Sequence, residues 1–238
     1  MKHRYLLVNV LLIIILGFRG YAQKNIETQS LLWMRYNLGI NFNENYKLRY
    51  EIEERVYHAP WRQHQFLSKA HFERRLNNNW NCGVGFTYLV QSLPHSAELD
   101  VTETQIELRP QLEIENKQKL FDRLSISHRY WTEFRFFEQA DNSFDFSNIR
   151  TRYKLELNYK VSDKITFKAF DEIHLNIGNK IVQNVFDQNR YGGSIQVMPS
   201  KSLGFELGYF NWFQQKKSGT DFYNRNIIRV TIHQNINI

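Results

Sequence analysis

The stretch Phe146-Ser147-Asn148-Ile149-Arg150-Thr151-Arg152-Tyr153-Lys154-Leu155-Glu156-Leu157-Asn158-Tyr159-Lys160 decides the fold. Asn148, Arg150, Arg152, Lys154, Glu156, Asn158 and Lys160 share one parity, and Ile149, Tyr153, Leu155, Leu157 and Tyr159 share the other. Side chains of a strand point alternately to the two sides of its sheet, so a period of two over this length predicts one polar and one apolar face. The pattern recurs to either side. Lys47, Arg49, Glu51, Glu53 and Arg55 oppose Leu48, Tyr50, Ile52 and Val56, with Glu54 breaking the rule. Glu103, Gln105, Glu107, Arg109, Gln111 and Glu113 oppose Ile106, Leu108, Leu112 and Ile114. Ser125, Ser127, Arg129, Glu133 and Arg135 oppose Leu124, Ile126, Tyr130, Phe134 and Phe136, and Arg225, Arg229 and His233 oppose Ile228, Val230, Ile232 and Ile236.

Strand-like runs cover roughly 28–42, 46–57, 63–76, 80–91, 101–115, 120–137, 146–161, 165–177, 185–198, 203–214 and 222–238. Each is long enough to cross a bilayer, which takes about 9–11 tilted residues. Tight links at Asn43 to Asn45, Asn77 to Asn79, Asn116 to Lys119, Ser162 to Lys164 and Pro199 to Ser202 alternate with longer segments around 58–62, 92–100, 138–145, 178–184 and 215–221. Short turns on one rim and longer loops on the other predict an all-β, antiparallel up-and-down transmembrane barrel of about 10–12 strands. Even strand numbers are usual for such barrels, and a further short strand at 23–30 would make twelve, the number we expect.

Residues 1–22 read as a signal peptide: Lys2, His3 and Arg4, an apolar run from Tyr5 to Phe18, and Gly20-Tyr21-Ala22 ahead of cleavage before Gln23. Residues 23–238 then form a single barrel domain exported to the cell outer membrane, since no Pro-, Ser- or Gly-rich linker divides them. Without the leader the formal charge falls from +7 to +4, and bases and acids are interleaved, which argues against a nucleic-acid partner. The single Cys82 permits no intrachain disulfide.

A soluble periplasmic lipocalin-like barrel, with the apolar face inward around a ligand, carries the same alternation. Strand length argues for the membrane form. So do the aromatics: 15% of the chain, with Phe42, Tyr46, Trp80, Tyr159, Phe167 and Phe205 on the apolar face beside the short turns, where an interfacial girdle sits. Mixed Arg and Glu on the other face suit a confined interior, where an uncompensated charge is costly. The expected lumen lining is therefore Arg49, Glu51, Glu53, Arg55, Glu107, Arg109, Arg129, Glu133, Arg135, Arg150, Arg152, Glu156, Arg190, Glu206, Arg225 and Arg229, with Arg75, Glu73, Glu103 and Glu172 on the same faces. Pairing across the lumen would plug it, whereas segregation on opposite walls would create a transverse field for small polar solutes.

The apolar run containing Trp33, the strand ending Glu53-Glu54-Arg55, Trp80 leading into Gly83-Val84-Gly85-Phe86-Thr87-Tyr88, and later Glu107-Leu108-Arg109, Gln188-Asn189-Arg190 and Leu207-Gly208-Tyr209 resemble the exported family catalogued as domain of unknown function 2490. The resemblance implies an outer-membrane-type barrel of Gram-negative bacteria, frequent in the Bacteroidetes, with no established activity and no catalytic residues to carry over.

The expected partners are outer-membrane lipids and the barrel-assembly machinery, although the chain ends Ile236-Asn237-Ile238 without the usual terminal ring. For an alternative lipid-modifying hydrolase, only Ser125, Ser127, His128 and His174 offer candidates. No Gly-x-Ser-x-Gly elbow or His-Glu-x-x-His metal motif occurs, and His128 falls on the apolar face. No cofactor is implied, and the expectation is a structural or small-solute pore-type barrel rather than an enzyme.

Overall fold

The computed structural model describes residues 24–238; the segment read as a signal peptide lies outside them. Eleven strands close into one barrel: β1 (Asn25–Asn41), β2 (Tyr46–Tyr57), β3 (Arg62–Arg75), β4 (Trp80–Leu93), β5 (Glu103–Lys119), β6 (Leu124–Glu138), β7 (Phe144–Lys160), β8 (Ile165–Ile177), β9 (Phe186–Val197), β10 (Leu203–Gln215) and β11 (Asp221–Asn237). Each pairs with its sequence neighbours antiparallel, and β1 and β11 close the ring in parallel. The expected twelfth strand is absent from the described residues, because residues from Asn25 onward already belong to β1. An odd count forces first and last strands to run the same way, so Asn25 stands on the rim of the longer loops and Asn237 on the rim of the short turns.

Parallel pairing is slightly weaker per residue than antiparallel pairing. Here side chains also bridge the seam. Arg225 donates to Gln29 at 2.7 Å, Arg35 to Thr231 at 3.2 Å and Asn41 to Asn237 at 2.8 Å, while Tyr36 bonds Gln234. Closure leaves no unpaired edge on which another chain could add.

The alternation places charges inside. Odd-numbered charges of 47–55 and even-numbered charges of β7 point into the barrel, where Glu53 is 2% and Arg150 5% exposed. The outer surface carries apolar side chains such as Phe86, Leu112, Ile114, Phe205, Leu207 and Val230, each more than a third exposed. Glu54 stays on the outer face, accepting a hydrogen bond from Gln63 at 3.1 Å. Phe42, Trp80, Tyr159, Phe167 and Phe205 project outward near the short turns, as the girdle reading expects. Arg75 and Glu103 keep the parity of their strands but lie at opposite rims and are exposed, so neither stands in the enclosed interior.

Three bulges break the parity. Between β2 and β3 the register shifts at Arg55/Val56, and the extra residue His64 turns inward beside Gln65, both buried. Between β8 and β9 it shifts at His174/Leu175, which brings Asp187 inside beside Gln188. The third lies at Arg135/Phe136 between β6 and β7. Such bulges re-aim side chains that simple alternation would send the other way.

Aromatic packing inside needs glycine at two positions. Phe210 is paired with Gly192 across β9 and β10 and is 1% exposed. A Cβ on Gly192 would run into the Tyr209 carbonyl and into Phe210 itself. His71 lies over Gly85, where an added Cβ would meet the imidazole at 2.6 Å. Rings covering backbone glycines are a recurrent device for curving a sheet. Gly192→Ala is expected to destabilise the folded barrel by ~1–3 kcal/mol, the usual penalty of overpacking. Urea unfolding of detergent-folded protein checks this, and an unchanged midpoint would refute the packing argument.

Candidate functional site

The interior divides into an apolar plug, a charged girdle and a cavity. Leu31, Trp33, Tyr57, Phe210, Trp212 and Ile227 form a buried cluster toward the long-loop rim. Trp33 meets Phe210 and Trp212 edge to face, with centroids 5.0 and 5.6 Å apart. The β4–β5 connection folds onto this cluster. Ala97 packs against it, Gln29 donates to the His95 carbonyl at 2.8 Å, and Arg62 donates to the carbonyls of Pro94 and Ser96. The Leu31-Leu32-Trp33-Met34 run is thus apolar on both faces for two reasons: its even residues face outward and its odd residues fill the plug.

Below the plug, acids and guanidinium groups alternate along the wall. Glu107 is fully buried and accepts from Arg109 at 2.6 Å through both oxygens and from Arg135 at 2.5 and 3.1 Å. Asp187, Arg150, Glu133, Arg152, Glu172 and Arg129 follow as a linked chain, including Arg150–Asp187 at 3.1 Å, Arg152–Glu133 at 3.0 Å, Arg152–Glu172 at 2.8 Å and Arg129–Glu172 at 2.9 Å. Arg55 bonds Glu53 at 2.6 Å, and Arg49 reaches Glu73 and Glu113, both at 3.1 Å. Lys168 and Arg229 share Glu206 at 2.8 and 3.3 Å, and Lys154 pairs with Glu156. The pairs therefore run mostly along the wall within a strand or between strands one or two apart, with Arg49–Glu113 reaching from β2 to β5. They neither form a single cross-lumen plug nor separate onto two walls.

A cavity of about 260 Å³ occupies the middle of the barrel. Its lining contains Arg49, Glu51, Glu53, Arg55, Arg109, Arg129, Glu133, Arg150, Arg152, Glu156, Arg190, Glu206 and Arg229 from the sequence-based set. Glu107, Arg135 and Arg225 also point inward but stand off the cavity, the first two in the wall and Arg225 beside Trp212 and Tyr223. Arg35, Lys69, Lys154, Lys168 and Glu172 join the lining. Lys154 and Glu172 already fall on the polar faces read from the sequence, and extending the same parity along β1, β3 and β8 would have found Arg35, Lys69 and Lys168. Asp187, behind Arg150, could not have been found that way, because the bulge reverses its side. In total the lining holds twelve Arg and Lys side chains and seven acids. The acids Glu73, Glu107, Glu113 and Asp187 sit behind it, so cations dominate the cavity surface itself.

The hydrolase candidates are not brought together. Ser127 is buried inside the barrel, whereas His128 points outward and hydrogen-bonds the Tyr153 hydroxyl at 2.9 Å. His174 is buried between Glu172 at 3.3 Å and Gln188 at 3.0 Å. Among the described residues no side-chain hydrogen bond joins a serine to a histidine, and no group of three His, Cys, Asp or Glu is placed to hold a metal.

The family model described as protein of unknown function (DUF2490) matches residues 31–224, and the chain belongs to this family. No curated protein matches. Among solved structures, one described as a NanC porin in a rhombohedral crystal form is similar over 82% of this chain and 92% of that one, at 10% identity and a TM-score of 0.48.

Two expectations follow from the geometry. Glu133 is 1% exposed and neutralises Arg150 and Arg152 together. Glu133→Ala should therefore cost ~3–5 kcal/mol, as removal of one partner of a buried ion pair does; equilibrium unfolding measures it. The second concerns His95, in the loop that covers the plug. Burial, then the charges of Arg225 and Lys217, push its imidazole down to about 4, against about 6.5 for an exposed histidine. Arg62 acts in the same direction and Glu27 opposes it, while the His64 and Tyr223 rings stand beside it. An opened loop gains a proton below about 6.5 that the closed loop refuses until about 4. The closed form is thus fully favoured above about 6.5 and weakens as pH falls toward 4. Hydrogen exchange at 94–102, corrected for intrinsic rates, should accelerate on acidification, and His95→Asn should abolish that dependence.

Proposed function

We propose that this protein is an outer-membrane β-barrel of the pore type, whose Arg- and Glu-lined interior serves small polar solutes and whose long-loop mouth is closed at rest by the aromatic plug and the 94–102 loop. The observation that carries this reading is the inversion of faces: ion pairs inside, and a continuous apolar exterior of side chains such as Leu112, Leu207 and Val230 outside. A soluble monomer rarely exposes a contiguous apolar patch beyond a few hundred Å², whereas a bilayer solvates such a belt, and the outward rings near the short turns suit its interface. In this reading residues 1–22 direct export, the assembly machinery inserts the chain, and outer-membrane lipids contact the belt.

The plug gives the pore a resting state. Trp33, Phe210, Trp212 and Ala97 fill the mouth with atoms that cannot hydrate an ion, and an apolar constriction gates by excluding water. The expected result is partition of the mature protein with outer membranes, and a low conductance in planar bilayers that rises when residues 95–101 are replaced by a short Gly-Ser link. Recovery from the soluble periplasmic fraction would defeat the membrane assignment. An equally silent barrel after removal of the loop would defeat the pore.

A further inference from the structure

Of the twelve cationic side chains around the cavity, Arg190 alone has no acid within ion-pair distance among the described residues. Its cross-strand neighbour Glu172 is turned to Arg129, Arg152 and His174. The Arg190 guanidinium lies instead against two indoles, 4.7 Å from the Trp212 ring centre and 5.3 Å from that of Trp33. Its Nε is buried without an acceptor. The contrast with Arg225 is instructive. That side chain also lacks an acid, but it is shut away at 1% exposure and donates to Gln29 and Gln214.

An unpaired cation removed from water is costly. Two cation–π contacts at ~0.5–2 kcal/mol each offset part of that cost, and they leave the guanidinium's N–H donors free. The fork of an arginine fits a planar oxyanion through two parallel hydrogen bonds. Arg55, 3.6 Å from the Trp33 ring centre on its own side chain's carbon, and Arg152 add positive potential nearby, but each already has its carboxylate. Arg190 is therefore the lining cation that no carboxylate contacts among the described residues. Leu67, Trp131, Phe170 and Phe210 supply apolar wall in the same cavity for a carbon body.

We propose that Arg190, held between Trp33 and Trp212, binds the carboxylate of a small organic monoanion inside the barrel. The site rests on the preceding reading only in requiring that solutes reach the cavity from one rim; it does not require that ions pass through.

The test is a titration of detergent-folded mature protein with sodium butyrate at constant ionic strength, following tryptophan fluorescence, with butyramide and inorganic phosphate as comparators. Butyrate should give a saturable change and butyramide none. Arg190→Gln should raise the half-saturating concentration at least tenfold, and Arg190→Lys, which keeps the charge but loses the fork, should fall between. Arg190→Gln should also melt at or above the wild-type temperature, because it removes an uncompensated cation. A lower melting temperature with an unchanged titration would mean a structural arginine and overturn the site. So would the absence of saturation, or phosphate saturating at lower concentration than butyrate. Butyrate binding by a barrel that shows no conductance with or without the loop would keep the site and remove the pore. Conductance without butyrate binding would do the reverse.

Discussion

Charge inside a closed wall is the constraint on which the structure depends. A carboxylate such as Glu107, fully buried, survives there because Arg109 and Arg135 both donate to it. Arg150 and Arg152 likewise need Glu133, Glu172 and Asp187. Because each guanidinium offers several donors and each carboxylate several acceptor positions, the pairs join into chains along the wall. These pairs link β5 to β9 from within and add a second constraint on the register that the backbone ladder sets. A slip of one residue would send every one of these charges to the apolar exterior.

The same constraint divides the interior along its length. Near the long-loop rim, where Trp33, Tyr57, Phe210 and Trp212 pack together, the cations lie against aromatic faces: Arg55 and Arg190 over indoles, and Arg225 held by glutamine oxygens and by Trp212 and Tyr223. Around the cavity below, cations outnumber acids in the lining, and the further acids Glu73, Glu107, Glu113 and Asp187 stand behind it. Arg190 sits at the junction, with indoles on one side and the cavity on the other. Glycine makes that junction possible, since only a residue without a Cβ lets Phe210 lie against β9.

Much of this was legible in the chain. Alternation in 146–160 identified β7 and the inward side of its charges, and its recurrence gave eleven runs that correspond to the eleven strands. The expected twelfth strand came from the usual even count, a regularity of other barrels that nothing in residues 23–30 supports. Arg75 and Glu103 followed the parity of their strands but lie at the rims, since alternation gives the side of a residue and not its depth. Asp187 and His64 were hidden for a different reason: a bulge changes parity at one residue, and no local feature of the sequence marks where it falls.

By itself, the sequence determined the class of structure, the two faces of its wall and which rim carries the short turns, because each is encoded in residues next to one another in the chain. Only the tertiary structure decided the parallel closure of β1 on β11, the folding of the 94–102 loop onto the plug and the choice of partner for each buried charge. These depend on residues far apart in the chain whose distance is set by how many strands close the ring and how far they are staggered. Arg190 and Arg150 look alike in the sequence, and only closure gives one of them two carboxylates and the other none.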